Sequence, residues 1–235
     1  MNNIDNIDRS NWDNSAIEQG NLFKSLIVLN RCKTIVEIGV AFAATTKYLC
    51  EAANIIQGNV YGYDIWEIHG LNKQFIQLAS KEYCEKYLTN HGFNNFQLTK
   101  INSKTEEFKN LINKNHKEID FCFIDGCHSY LGIKNDFDVI YPLLSSTGII
   151  AFHDTLRIDG CREFIIDLRT KYNDGTFDIV DFPFGSGPRR VGITLLVKRS
   201  FATDNLKIDE TCGSISSSEE IYLKEKEWYK EQVKH

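Results

Sequence analysis

Apolar positions along the chain switch between two periods, and the switches mark out its elements. From Ser15 they recur at helical spacing (Ile17, Phe23, Leu26, Ile27, Leu29), with Ser15 as a candidate N-cap. Residues 1–14 are polar and read as a loose lead-in. Ile35, Val36 and Ile38 read as a buried strand. Ala41, Ala43, Ala44 and Thr45 then form a small-residue turn, and a helix runs on to about Asn54. Asn59 to Tyr63 is a short strand ending at Asp64, and residues 72–90 are helical, closed by Asn90-His91-Gly92. Phe96 to Ile101 reads as a strand, Thr105 to Asn113 as a short helix, and Ile119 to Ile124 as an apolar strand broken only by Asp120. Tyr130 to Leu144 is helical, and Thr147-Gly148 turns into the strand Ile149 to Phe152. A helix from about Asp159 to Tyr172 precedes two strands near Phe177–Asp181 and Val191–Lys198.

Strands alternating with helices from Ile35 to Tyr172 predict an α/β fold with a parallel sheet covered on both faces. The last two strands are joined by the loop PFGSGPRR without a helix, which predicts an antiparallel pairing. The expected fold is a Rossmann-like, doubly wound, seven-stranded sheet, mostly parallel with an antiparallel last strand. It occupies residues 15–199. Residues 200–217 are polar and Ser-rich and read as a linker, and Ser218 to His235 as a charged C-terminal helix.

Polar residues gather where the predicted strands end. Glu37 and Gly39 close the first, Asp64 the second, Asn102 and Ser103 the third. Asp125 closes the fourth, followed by Cys127 and His128, and His153-Asp154 closes the fifth. One acid at a strand end is a common helix cap. Five polar ends in succession point to a cleft, because ligands of open parallel sheets bind outside the carboxyl ends of the strands. The small-residue turn after Ile38 lets a ligand approach the backbone at a helix N-terminus. Its spacing is not G-x-G-x-x-G, and Glu37 suits a cationic or hydroxyl-bearing ligand better than pyrophosphate. Asp64 sits where a carboxylate can accept ribose hydroxyls. Asp125, His153 and Asp154 could share one cation such as magnesium or manganese, or could serve as caps and backbone partners. His128, three residues after Asp125, is the candidate general base.

Length and charge narrow the classes. The 235 residues suffice for one α/β domain with a full core and fall short of two. A net charge of −5 argues against general binding to nucleic acid or anionic membranes. No apolar run approaches a membrane span, and no secretory h-region opens the chain, so a cytoplasmic setting is expected. Seven cysteines without framework spacing fit reduced thiols, and the absence of C-x-x-C argues against structural zinc.

At these residues the chain resembles the class I S-adenosylmethionine-dependent methyltransferases, in particular the small-molecule O-methyltransferases. The similarity covers the catechol and caffeoyl-coenzyme A branch and the macrolide-sugar and cephalosporin-biosynthesis branch. Gln19-Gly20-Asn21-Leu22-Phe23 looks like the family's helix ahead of the cofactor site, and VEIGVAFAATT is similar to its first motif. FIDGCHSYLGIKNDFDVIYPLL with TGIIAFHDT closely resembles the fourth strand, helix and fifth strand, and GSGPRRVGITLLVKR the closing pair. The resemblance implies that Glu37 and Gly39 hold the amino-acid end and backbone of S-adenosylmethionine, with Val40, Ala41 and Thr45 also among the cofactor-binding residues. It also implies Asp64 on the ribose, Asn102 and Ser103 beside the adenine, and Asp125 near both cofactor and metal. His153-Asp154 fall on the family's metal-ligand pair, and His128 on the lysine that is the base of the catechol branch. Ala43 stands where relatives have glycine, His153 where they have a carboxylate, and Cys127 where an acid is common.

The resemblance implies methyl transfer to a hydroxyl of a small-molecule acceptor, assisted by magnesium or manganese on Asp125, His153 and Asp154, with His128 and Asp125 catalytic. A sugar or other polyol is the preferred acceptor, with neither nucleic acid nor membrane as partner and a homodimer as the candidate assembly. Trp66, His69 and Leu71 could form a lid, and Arg189-Arg190 could meet an anionic acceptor. Two other readings remain open: a non-catalytic cofactor-binding module, and a nicotinamide-dependent oxidoreductase or epimerase. The latter lacks a glycine-rich phosphate turn and a well-placed Tyr-x-x-x-Lys pair.

Overall fold

Alternate residues of the central strands point into two separate apolar layers. Ile35 of β1 (Thr34–Ile38), Phe121 and Phe123 of β4 (Ile119–Ile124) and Ile149 and Ala151 of β5 (Leu144–Phe152) pack on one face. Val36, Ile38, Cys122, Ile124, Ile150 and Phe152 pack on the other. A strand buried on both sides has no polar face to show, which is why these segments read as continuous apolar runs. The structure, a computed structural model, describes residues 8–67, 78–184 and 191–199.

With β2 (Asn59–Asp64), β3 (Phe96–Lys100), β6 (Phe177–Phe182) and β7 (Ile193–Lys198), the strands form one sheet in the order β3-β2-β1-β4-β5-β7-β6. The first five run parallel, and β7 lies antiparallel to both β5 and β6. Helices α1 (Ser10–Ser15), α2 (Ile17–Asn30), α3 (Ala44–Ile56) and α4 (Lys81–Asn90) precede β3 in the chain. They are followed by α5 (Glu106–Asn115), α6 (Tyr130–Ile140) and α7 (Asp159–Thr170). Phe23 and Ile27 of α2 and Leu49 of α3 fill the first layer, Phe108 of α5, Ile133 of α6 and Phe164 of α7 the second. Replacing a fully buried ring such as Phe23 by Ala would cost about 3–5 kcal/mol.

The register matters most for function. Ile38 pairs with Tyr63 and Ile124, and Ile124 pairs with Phe152. The ladder runs one residue further, through Gly39 N–H to Tyr63 O (2.9 Å), Asp125 N–H to Ile38 O (2.8 Å) and His153 N–H to Ile124 O (3.1 Å). Residues that follow these strands therefore stand side by side, one strand spacing of about 5 Å apart.

Several boundaries differ from the sequence expectation. Residues 10–14 are not loose: they belong to α1, and Ser15 ends that helix, its hydroxyl donating to Trp12 O, while Ala16 takes the N-cap position of α2. No residue of α1 is buried, so no apolar stripe advertises it. Arg9 anchors it instead. Its guanidinium donates to Phe42 O (2.8 Å) and Tyr83 Oη (3.1 Å) and lies 3.5 Å over the Tyr87 ring. In α2 the inward face carries Gln19, Gly20, Phe23 and Ile27, whereas Ile17 and Leu29 are exposed. The fifth strand starts at Leu144, with its pairing shifted between Ile119 and Phe121, so Thr147-Gly148 lies inside the strand. Residues 72–77, His69, Leu71, Arg189, Arg190 and the expected linker and helix of 200–235 lie outside the described residues.

Candidate active site

The turn between β1 and α3 is shaped by left-handed residues. Gly39 has φ 93°, and a Cβ there would stand 2.2 Å from Asp125 O, so only glycine lets the two strand ends approach. Ala41 (φ 48°) and Ala43 (φ 59°) share the left-handed region, and the strain expected where glycine is missing is therefore present. Asp64 holds the turn in place. Its Oδ2 accepts from Val40 N–H (2.7 Å) and Ala41 N–H (2.8 Å), and its Oδ1 accepts from Trp66 N–H. The backbone N–H groups of Val40 and Ala41, expected to face a ligand, are thus committed to Asp64, and these residues offer a ligand their wall alone. Trp66 is buried, its Nε1 donating to Ala41 O at 3.2 Å. It braces the turn from below and is not part of a lid.

Two cavities of about 450 Å³ each open along the carboxyl ends of the strands. Glu37, Val40, Thr45, His153 and Asp154 line the first. Asp64, Asn102, Ser103, Cys127 and His128 line the second. Gly39, Ala41 and Asp125 belong to both and form the waist between them.

Glu37, 1 % exposed, accepts a hydrogen bond from Thr46 Oγ1 at 2.6 Å. Burial lifts its carboxyl well above the ordinary range, the Thr46 bond opposes the lift, and the charges of Asp125 and Asp64 add to it. The charges that bear on it among the described residues are those of the acids Asp125 and Asp64. In the second cavity Asn102 Oδ1 accepts from Lys104 N–H, and Ser103 O accepts from Asn135 Nδ2. Burial there would raise the Cys127 thiol, yet hydrogen bonds from Lys104 and Ser129 bring it below its usual value.

At the waist, Asp125 Oδ1 lies 2.9 Å from His153 Nδ1 and 3.1 Å from His128 Nε2. These three residues offer ligand atoms all within 4.8 Å of one another. Asp154, in a left-handed conformation (φ 58°), brings Oδ2 to 3.7 Å from His128 Nδ1 and 3.8 Å from His153 Nδ1. Burial would raise the Asp125 carboxyl, but the imidazoles of His153 and His128 hold it at about 2. The hydrogen bond to Asp125 raises His128. His153 is also raised, because Asp125 and Asp154 outweigh the effect of its burial. Although His153 Nδ1 is 2.9 Å from a carboxylate oxygen, no directed hydrogen bond joins them, and Asp154 Oδ1 is buried without a partner. Close donor atoms that do not satisfy one another fit a shared cation. His128 enlarges the expected ligand set of Asp125, His153 and Asp154.

Sequence reasoning placed Gln19 in the helix ahead of the cofactor site but gave it no role there; its amide reaches His153 at 3.1 Å and Thr45 at 2.9 Å. Its signal was legible: a polar residue at i, i+4, i+8 spacing with the buried Phe23 and Ile27. Trp12 and Phe184 of the first cavity were also missed, and each comes close only through tertiary folding.

A family model described as a methyltransferase domain matches residues 36–155, just over half of the chain. No curated protein matches. Among solved structures, the O-methyltransferase TomG from Streptomyces achromogenes, involved in tomaymycin synthesis and bound to SAM, aligns at 16% identity and TM-score 0.60. That alignment covers 77% of this chain and 80% of TomG. An O-methyltransferase from Bacillus cereus in complex with SAH aligns at 13% identity and TM-score 0.56, covering 83% of this chain and 93% of that one. An rRNA methylase from Streptococcus thermophilus aligns at 12% identity and TM-score 0.55, covering 78% and 95%. At these identities the likeness establishes the fold.

Proposed function

The chain belongs to the family of methyltransferase domains, and from that premise we propose that it methylates a hydroxyl of a small acceptor using S-adenosylmethionine and a divalent metal. The observation that carries the reading is the waist, where Asp125, His128 and His153 converge between two cavities. The cofactor would supply an electrophilic methyl group. Glu37, a buried carboxyl on the wall of the first cavity, is suited to its ammonium, and Asn102 and Ser103 to the rim of its base. Asp64 keeps lone pairs for ribose hydroxyls while holding the turn.

Asp125, His153 and His128, with Asp154 behind them, would hold the metal, which would lower the pKa of an acceptor hydroxyl. Two imidazoles beside carboxylate favour manganese over magnesium, a shift from the all-oxygen preference of the harder ion. His128 is the most exposed member of the cluster; with the metal on Asp125, His153 and Asp154 alone, its imidazole would be free to take the acceptor proton. The acceptor side combines rings with polar groups: Trp12 lies 4.5 Å from Phe42, and Asn14, Glu18 and Arg157 share the cavity. An apolar platform ringed by hydrogen-bonding groups suits a sugar or other polyol.

Release of S-adenosylhomocysteine is the test, using a panel of sugars, polyols and aromatic diols with manganese or with EDTA. Turnover of a hydroxylated acceptor that EDTA abolishes is the expected result. Turnover unchanged by EDTA removes the metal from the reading. Tight cofactor binding with no turnover on any acceptor replaces the enzyme with a binding module.

A further inference from the structure

The geometry points to Gln19 as the positioning residue of the site: it fixes the His153 imidazole with its proton on Nε2, leaving Nδ1 turned toward Asp125 as a ligand atom. The ligand role of Nδ1 rests on the metal reading above; the fixing of the ring does not.

Gln19 is 8 % exposed and spans three elements. From α2, its Nε2 donates to Thr45 Oγ1 in the first turn of α3 (2.9 Å), and its Oε1 meets His153 Nε2 beyond the tip of β5 (3.1 Å). A carboxamide has one acceptor atom and one donor atom. With the nitrogen committed to Thr45, only oxygen faces the imidazole, and oxygen can only accept. His153 Nε2 must therefore carry hydrogen. In the neutral ring Nδ1 is then a bare lone pair, 2.9 Å from Asp125 Oδ1 and without a directed hydrogen bond to it. Two lone pairs at that distance repel unless a proton or a metal ion sits at Nδ1, and above the folded pKa of the ring a metal ion is the candidate. A metal-ligating histidine whose far nitrogen is tied to an acceptor is held in the tautomer and orientation that ligation needs.

The test uses the full-length, metal-free protein with 15N-labelled histidine, at a pH where the imidazoles are neutral. Long-range 1H–15N correlation spectra report which ring nitrogen bears the proton. Wild type and Gln19→Glu are expected to show His153 protonated on Nε2. Gln19→Met, nearly isosteric and apolar, is expected to populate the Nδ1–H form, and Thr45→Val to do so in part by releasing the amide. A wild-type ring protonated on Nδ1, or spectra unchanged in both Gln19→Met and Thr45→Val, would overturn the proposal. Titration with Co(II), followed by its visible absorption, is the second readout. About 10- to 100-fold weaker binding is expected in Gln19→Met, with Gln19→Glu within a few-fold of wild type. If wild type takes up no Co(II), the metal reading fails, while the spectra still decide the role of Gln19.

Discussion

Glu37 faces the first cavity with its carboxyl buried, and among the described residues the Thr46 hydroxyl donates to it. An amide there spares the unliganded protein the cost of a buried ionisable carboxyl and denies a cationic ligand its counter-charge. Glu37→Gln is expected to raise the melting temperature of the unliganded protein by about 2–4 °C, the equivalent of about 1 kcal/mol for a chain of this size. It should weaken S-adenosylmethionine binding by at least about tenfold in calorimetry, as loss of a charge-assisted hydrogen bond would. An unchanged affinity would place the cofactor's ammonium elsewhere. The imidazoles make a pH prediction. His128 and His153 are raised above 6.5, so their pairing with Asp125 stabilises the unliganded fold fully below that value and is lost as pH rises through their folded values. Asp125, held at about 2 against an ordinary 3.8, contributes above 3.8 and fails only as pH falls through about 2. Wild type should therefore lose more thermal stability than His128→Ala between about pH 6 and about pH 9. At this scale the acids and histidines were legible as types at strand ends. The role of Asp64 in clamping Val40 and Ala41 was not, because backbone N–H groups leave no mark in a sequence.

The turn from β1 to α3 concentrates backbone strain, and its substitutions should sort by backbone more than by size. Ala43 is fully buried at φ 59°, so Ala43→Val adds a β-branched side chain where even alanine is strained, and should destabilise by more than about 2 kcal/mol. Ala43→Gly relieves that strain but loosens the unfolded chain, and should lie within about 1 kcal/mol of wild type. Chemical denaturation of both variants checks the pair; equal losses would mean that packing, not φ, governs the position. The strands and most helix spans were readable from pattern, but the caps were not singled out: Ser80, Thr105 and Ser129 each accept a backbone hydrogen bond at their helix starts. Helix α1 was not readable, since its anchor is Arg9 reaching to Phe42, Tyr83 and Tyr87, and none of these contacts is local.

Across the whole molecule, the parallel register is what makes the site. It was legible only as an alternation of strands and helices; the order that seats β1 between β2 and β4 is a three-dimensional fact. A cofactor that binds the folded chain and not the unfolded one stabilises the fold by mass action. At one hundred times its Kd the cofactor should contribute about 2.7 kcal/mol, or about 5–10 °C in melting temperature. A smaller shift in Glu37→Gln at equal concentration would tie the effect to the first cavity. The waist of Gly39, Ala41 and Asp125 has a pharmacological corollary. The two compartments share these three residues as lining, so their occupants would lie side by side. A short tether joining two weak occupants would turn the second contact into an intramolecular event and could tighten binding about 100-fold or more without any new interaction. Selective inhibition of this chain is therefore best sought in bridged ligands that span the shared lining and occupy both rooms at once.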